Sequence, residues 1–213
     1  MPEIAIKYCG ITLESDAKAA IAAGANALGF NGFPRSKRFL DLAAAAPWIR
    51  RLPGFCTRVA VLVNPTEDEA VAAMRLGCFD RLQLHGDETP DFCARLRDRG
   101  YQVIKALPLA TEADLARIAE FPVDDVLLDA HAPGVYGGTG QVIDWSLARQ
   151  AAERFPGKRV ILSGGLKPEN VAAAVSAVRP YAVDVASGIE SAPGRKDEGK
   201  MVAFTRNLRS VSA

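Results

Sequence analysis

The sequence predicts an α/β chain folded as a single (β/α)8 TIM barrel over residues 1–213, and three observations carry that expectation. Short apolar runs recur along the chain, each closed by a polar or glycine-rich break and followed by a longer alanine- and charge-rich segment. Apolar runs bounded by turn residues and alternating with helical patterns argue for parallel strands buried on both faces. Eight such units share 213 residues, at roughly 25 residues each, near the lower end of the size range for this barrel. An open doubly wound sheet is the competing arrangement. It would place a glycine-rich fingerprint after the first strand, and Cys9-Gly10-Ile11-Thr12 is not one.

Taken in order, the first strand is expected over Glu3 to Tyr8, with a helix over Glu14 to Ala23 that Gly24 ends at a left-handed cap position. A second strand, Ala27 to Asn31, leads into the loop Gly32 to Arg38 and a helix over Leu42 to Arg50. The third strand spans Arg58 to Val63. Asn64-Pro65-Thr66 then opens a helix whose acidic first turn suits the positive end of its dipole. Strand four, Arg81 to Leu84, ends at His85-Gly86, and its helix runs from Pro90 to Arg99 with Gly100 closing it. Strand five covers Gln102 to Ala106, followed by a helix over Glu112 to Glu120. Strand six, Asp125 to Leu128, ends on Asp129 and opens the longest loop, through Trp145, before a helix over Leu147 to Phe155. Strand seven, Arg159 to Ser163, precedes Gly164-Gly165 and a helix over Pro168 to Val178. Strand eight, Ala182 to Val185, runs into Ala186-Ser187-Gly188, and a last helix covers Gly199 to Leu208.

Composition narrows the function. The chain is 49% hydrophobic, enough for a real core, and its 26 basic and 25 acidic residues nearly cancel. Nucleic-acid binding through phosphate neutralisation shows as a basic excess, so no nucleic-acid partner is expected. The four cysteines, at 9, 56, 78 and 93, form no Cys-x-x-Cys pair, and His85 and His131 are the only histidines. That is a poor zinc site and a poor disulfide framework. Neither a secretory signal nor an apolar run long enough for a membrane span is readable, so a soluble, cytoplasmic setting is expected.

In a barrel of this kind function belongs to the loops after each strand's C-terminal end. Polar and special residues gather there: Lys7 and Cys9 after strand one, Arg38 after two, Asn64 after three, Gln83 and His85 after four, and Asp129 after six. Gly164-Gly165 and Ser187-Gly188 fall in the two loops that barrels frequently use for phosphate, where bare backbone approaches an anion closely. Cys9 ends its strand two residues after Lys7, on the same face, and a neighbouring ammonium favours thiolate over thiol. Cys56, Cys78 and Cys93 read as small buried hydrophobes. Asp129 is either a desolvated general acid or a cap for its loop, which contains Tyr136-Gly137-Gly138-Thr139-Gly140. His85 is either a ligand-binding group or a hydrogen-bonded structural histidine, and Trp48 and Trp145 read as packing residues.

The motifs Lys7-Tyr8-Cys9-Gly10-Ile11-Thr12, Pro34-Arg35-Ser36-Lys37-Arg38, Gln83-Leu84-His85-Gly86, Gly137-Gly138-Thr139-Gly140 with Asp144-Trp145, Leu162-Ser163-Gly164-Gly165-Leu166 with Pro168-Glu169-Asn170-Val171, and Val183 to Glu190 follow one another along the chain. Together and in order they are similar to those of the phosphoribosylanthranilate isomerases of tryptophan biosynthesis. The tail Pro193-Gly194-Arg195-Lys196-Asp197 matches too, so the resemblance covers essentially the whole chain. It implies an Amadori rearrangement of a phosphoribosyl substrate, with Cys9 as general base at sugar C2′ and Asp129 as general acid at the furanose oxygen. It further implies Arg38 on the anthranilate carboxylate, and substrate contacts from Gln83, His85, Gly138, Gly164, Gly165, Ala186, Ser187 and Gly188. No cofactor or metal is implied, and such barrels work as monomer or homodimer.

Two positions depart from the family pattern. Gly32 stands where a bulky apolar residue is usual, and Ala186 where a serine is common, so a weaker or differently shaped pocket is expected. Rival readings are another ribose-phosphate isomerase, which typically carries aspartate at the position of Cys9, and a non-enzymatic sensor of a phosphorylated ligand.

Overall fold

The structure, a computed structural model, describes residues 3–130 and 142–211. Its elements in order are β1 (Ala5–Cys9), α1 (Glu14–Ala22), β2 (Ala27–Asn31), α2 (Leu42–Ile49), β3 (Thr57–Leu62), α3 (Glu67–Arg75), β4 (Arg81–Leu84) and α4 (Pro90–Asp98). There follow β5 (Val103–Pro108), α5 (Glu112–Arg117), β6 (Asp125–Asp129), α6 (Trp145–Arg154), β7 (Arg159–Leu162), α7 (Val171–Val178), β8 (Ala182–Val185), β9 (Glu190–Ala192), β10 (Arg195–Lys196) and α8 (Glu198–Arg209). Strands β1 to β8 pair in parallel, in sequence order, and β1 closes on β8 in the register Lys7↔Asp184. The closed (β/α)8 barrel is the expected architecture.

Local chemistry sets the element ends. Asp41, Thr66, Thr89, Thr111, Asp144 and Asp197 each accept backbone N–H groups at the start of a helix, a contact whose loss costs about 1 kcal/mol. Asp144 starts α6 at Trp145, earlier than the apolar pattern suggests, because its Oδ1 takes the N–H groups of Ser146 and Leu147. Conversely α7 starts at Val171 and not at Pro168. Asn170 ties the preceding turn instead, accepting from the Lys167 N–H and donating to the Gly165 carbonyl. The antiparallel pair β9–β10 was not expected at all.

Strand parity sorts the interior. Ala5, Ala27, Val59, Val61, Ile104, Ala106, Leu127, Ile161 and Ala182 pack inside the barrel, whereas the alternate positions face the helices. At the N-terminal end of the strands Asp125 pairs with both Arg81 and Arg159, a charged plug beneath the apolar filling. Outside the ring, Tyr8 donates its hydroxyl to the Met201 carbonyl at 2.8 Å and packs edge-on against Phe204, seating α8 over β1. Lys105, between inward-facing Ile104 and Ala106, points outward and is buried. It donates to Glu88 Oε2 at 2.6 Å and the Gly86 carbonyl at 2.7 Å, while Glu88 Oε1 takes the Asn64 N–H at 2.8 Å. This buried pair staples the loops after β3 and β4 together just beyond His85.

Candidate active site

The C-terminal strand ends open into a pocket of about 820 Å³ whose lining includes Cys9, Arg38, His85, Asp129, Asp184 and Ser187. Five strands or their loops therefore converge on one space, as the polar residues at the strand ends suggested.

On one wall, parity turns Lys7 and Cys9 inward from β1. Gly29 of β2 leaves room for both: a methyl built there would stand 2.7 Å from Cys9 Sγ and 3.0 Å from Lys7 Nζ. Lys7 Nζ donates to Asp184 Oδ1 of β8 at 2.5 Å, and the Ser163 hydroxyl donates to Asp184 Oδ2 at 3.4 Å. Burial alone would lower the Lys7 pKa, but Asp184 and the adjacent thiol push it up to about 12. For Cys9 the balance differs. Burial and the Asp184 charge push the thiol up, and the opposing pull of Lys7 and Lys196 does not overcome them. Lys7 does favour the thiolate, as expected, but burial and the Asp184 charge outweigh it.

On the far wall, three strand steps away through β8 and β7, stands Asp129. Its Oδ1 accepts the Ala130 N–H at 2.9 Å, and its Oδ2 lies 3.2 Å from His85 Nε2. The other ring nitrogen, Nδ1, is 3.0 Å from Gln83 Nε2. Gln83 was expected to touch ligand. It is fully buried behind His85 and is absent from the pocket lining, so it orients the imidazole. His85 itself lines the pocket and is hydrogen-bonded on both sides, which joins the two readings left open for it.

Between these walls Arg38 reaches in from the loop after β2. Asn31 Nδ2 donates to Ser36 Oγ at 3.1 Å, and Ser36 Oγ accepts the Arg38 backbone N–H at 3.0 Å, which fixes the loop. The guanidinium forks onto Glu190, Nε to Oε1 at 2.8 Å and Nη2 to Oε2 at 2.7 Å. Glu190 also receives Lys196 Nζ at 2.9 Å. Although burial works to raise it, these two cations hold the Glu190 carboxyl below its ordinary range.

The glycine loops after β7 and β8 meet backbone to backbone beside the pocket. Gly164 and Gly165 carry positive φ values of 83 and 61, which only glycine adopts without strain. Gly188 has a different reason to be glycine: a methyl there would run into the Leu166 carbonyl oxygen. The N–H groups of Gly164, Gly165 and Ser187 donate to no other backbone or side-chain group among the described residues. Ser187 and Ala186 line the pocket, and the Ala186 carbonyl accepts from Lys196 at 3.1 Å. Gly32, one of the two departures, is not part of the pocket lining. Leu42 and Leu62 fill the space over it, with a built methyl 2.9 Å and 3.0 Å from their Cδ atoms. Asn64 is likewise turned away, locked onto Asp87 and Glu88. Gly138, His131 and the segment Tyr136 to Gly140 lie outside the described residues.

Asp184, Glu190 and Lys196 are the polar residues the sequence reading did not single out. Asp184 had a signal, a carboxylate between Val183 and Val185 inside a strand. Lys196 had none locally, since its burial depends on the β9–β10 turn. Among the described residues no group of three or more His, Cys, Asp or Glu side chains could hold a metal ion.

Comparison with known proteins agrees with this geometry. The family model for N-(5′-phosphoribosyl)anthranilate (PRA) isomerase matches residues 6–207. The N-(5′-phosphoribosyl)anthranilate isomerase of Trichlorobacter lovleyi is 45% identical over 208 residues, covering 98% of this chain and 99% of its own. The crystal structure of phosphoribosyl anthranilate isomerase from Thermotoga maritima superposes with a TM-score of 0.88 at 38% identity, over 97% of this chain and 99% of that one. A phosphoribosyl anthranilate isomerase solved in complex with reduced 1-(o-carboxyphenylamino)-1-deoxyribulose 5-phosphate gives 0.85 at 37%, with the same coverage. With the family model, full-length relatives and the barrel all matched, this chain belongs to the N-(5′-phosphoribosyl)anthranilate isomerase family.

Proposed function

We propose that this enzyme converts N-(5′-phosphoribosyl)anthranilate to 1-(2-carboxyphenylamino)-1-deoxyribulose 5-phosphate, with Cys9 as the general base and Asp129 as the general acid. The observation that carries the reading is the placement of Cys9 and Asp129 in the lining of one pocket that also presents Arg38, with Ser163, Ala186 and Ser187 from the ends of β7 and β8; Gly164, Gly165 and Gly188 lie beside that lining and not in it. A sugar spanning that pocket meets one proton acceptor and one proton donor. The solved relative bound to a reduced form of the product supports a ligand of this shape.

In this reading Asp129 passes a proton to the furanose oxygen as the ring bond to C1′ breaks, and the anthranilate nitrogen takes up the resulting iminium. Cys9, after losing its own proton, removes hydrogen from C2′, and the enaminol relaxes to the ketone with a proton gained at C1′ and one lost from the 2′-hydroxyl. Gln83 and His85 serve Asp129. When Asp129 is ionised, His85 donates from Nε2 and accepts the Gln83 amide at Nδ1. Gln83 Oε1 then stays unpaired. Turning the amide over lets Oε1 accept from Nδ1–H, freeing Nε2 to accept the proton that Asp129 carries before donation. The phosphate sits on the free N–H groups of Gly164, Gly165 and Ser187, at bare backbone suited to an anion. The same reading takes residues 1–213 as one barrel domain working in the cytoplasm, as monomer or homodimer.

Purified protein should consume the fluorescent anthranilate substrate, and Cys9→Ala and Asp129→Asn should each lose about 10²–10⁴-fold in kcat. Wild-type rates in both variants would show the acid–base assignment to be wrong. An inactive wild type that still binds ribose phosphates would favour the sensor.

A further inference from the structure

We infer that Glu190 is a positioning residue that sets the preference for a carboxylate on the substrate's aromatic ring, by holding Arg38 along one edge and leaving the other edge for the ligand. The inference rests on the proposed function and deepens it.

A guanidinium has five N–H donors in a planar fork. Glu190 takes the Nε–H and one Nη2–H, at 2.8 and 2.7 Å. The edge formed by Nη1 and the second Nη2 hydrogen receives no other group among the described residues. That edge has the spacing of a bidentate carboxylate contact, and Arg38 lines the pocket. Its side chain runs over Gly10, where any larger residue would collide with it. The plane of the fork is thus fixed from both sides before ligand arrives.

Glu190 can impose this orientation because it is itself immobilised. Its side chain is only 5% exposed, and Oε1 also accepts Lys196 Nζ at 2.9 Å and the Gly194 N–H at 3.3 Å. Lys196 is 0% exposed and uses its other two protons on the carbonyls of Cys9, at 2.6 Å, and Ala186, at 3.1 Å. All three ammonium donors are spent. The β9–β10 turn therefore fastens the guanidinium to the ends of β1 and β8, the strands that carry the base and the phosphate loop. Two cations share one carboxylate here, so the node holds one uncompensated positive charge; Glu190→Gln raises that charge while releasing the fork, so a lost preference reports orientation and not charge.

The test measures dissociation constants for two probes, reduced 1-(2-carboxyphenylamino)-1-deoxyribulose 5-phosphate and its phenylamino counterpart lacking the carboxylate. Wild type should prefer the carboxylate probe by about ten- to a hundredfold, the range of a charge-assisted hydrogen-bonded pair. Glu190→Gln should cut that ratio to within about threefold, as should Arg38→Ala, while inhibition by inorganic phosphate stays at the wild-type level. Glu190→Asp, which keeps the charge but draws the fork back by one methylene, should restore part of the ratio and covers the case in which Glu190→Gln does not fold. A wild-type ratio in Glu190→Gln or Glu190→Asp, with Arg38→Ala having lost it, overturns the inference alone. A wild-type ratio in Arg38→Ala overturns the assignment of Arg38 in the proposed function.

Discussion

Replacing Gly188 with alanine turns one hydrogen into a methyl group where the loops after β7 and β8 meet. Gly188 is not among the glycines with positive φ, so alanine suits its backbone and the whole effect is steric. The methyl would overlap the Leu166 carbonyl oxygen and stand 2.9 Å from both the Leu166 carbonyl carbon and Lys167 Cα, whereas ordinary contact is 3.4–4 Å. These are backbone atoms, so no rotamer change relieves the clash. The carbonyl oxygen is the tightest of these contacts, so the loops must part by about 1 Å or more, and a displacement of roughly 1 Å in a group that positions substrate costs about 10²-fold in rate. That factor corresponds to about 3 kcal/mol on the barrier. Steady-state loss of anthranilate fluorescence should therefore show kcat/KM falling about 10²-fold, with inhibition by inorganic phosphate weakened in parallel. Overpacking of about 1–3 kcal/mol should also lower Tm by several degrees. Gly157, which has nothing within 4 Å of a built methyl, supplies the control. If Gly188→Ala melted lower but kept wild-type kcat/KM and phosphate inhibition, the loops would be structural and the phosphate would lie elsewhere.

Two other perturbations probe the charges behind the site. Burial and Asp184 raise the Cys9 thiol, so its base form grows with pH and kcat/KM should climb on the alkaline side of neutrality. Asp184→Asn removes a negative charge and should move that limb to lower pH, and Lys7→Met should move it higher. Thiolate absorbance of each protein, less that of its Cys9→Ala counterpart, locates the step, and an unmoved step in both contradicts the account. Lys105 and Glu88 are 1% and 2% exposed, so Lys105→Met should cost about 3–5 kcal/mol in urea unfolding by stranding the carboxylate. Adding Glu88→Leu should recover most of it, and equal losses in the single and double variants would show that the pair is not what the loop depends on.

The barrel was legible because its strands announce themselves by composition alone: β2, β4 and β8 begin and end where the apolar runs do. Cys9, His85 and Asp129 were legible for a related reason, since each polar residue closes an apolar strand, whereas the role of Arg38, inside a loop, came from the family resemblance. What escaped depends on distant partners. Glu190 lies 152 residues from Arg38, and nothing in Glu190 to Lys196 is apolar enough to suggest a strand. The upward shift of the Cys9 thiol escaped for the same cause: Lys7 is a neighbour in sequence, whereas the burial and the Asp184 charge that outweigh it come only with the closed barrel.

Ring closure has a consequence for when activity first exists. Lys7 meets Asp184 across 177 residues, and Lys196 meets the Cys9 carbonyl across 187. Contacts of such long range are the slowest for a folding chain to establish. A chain with β1 through β7 in place already carries both Cys9 and Asp129, but lacks the Glu190 carboxylate that holds Arg38. The site is a property of the closed circle, and catalytic turnover marks the moment the last strand docks against the first.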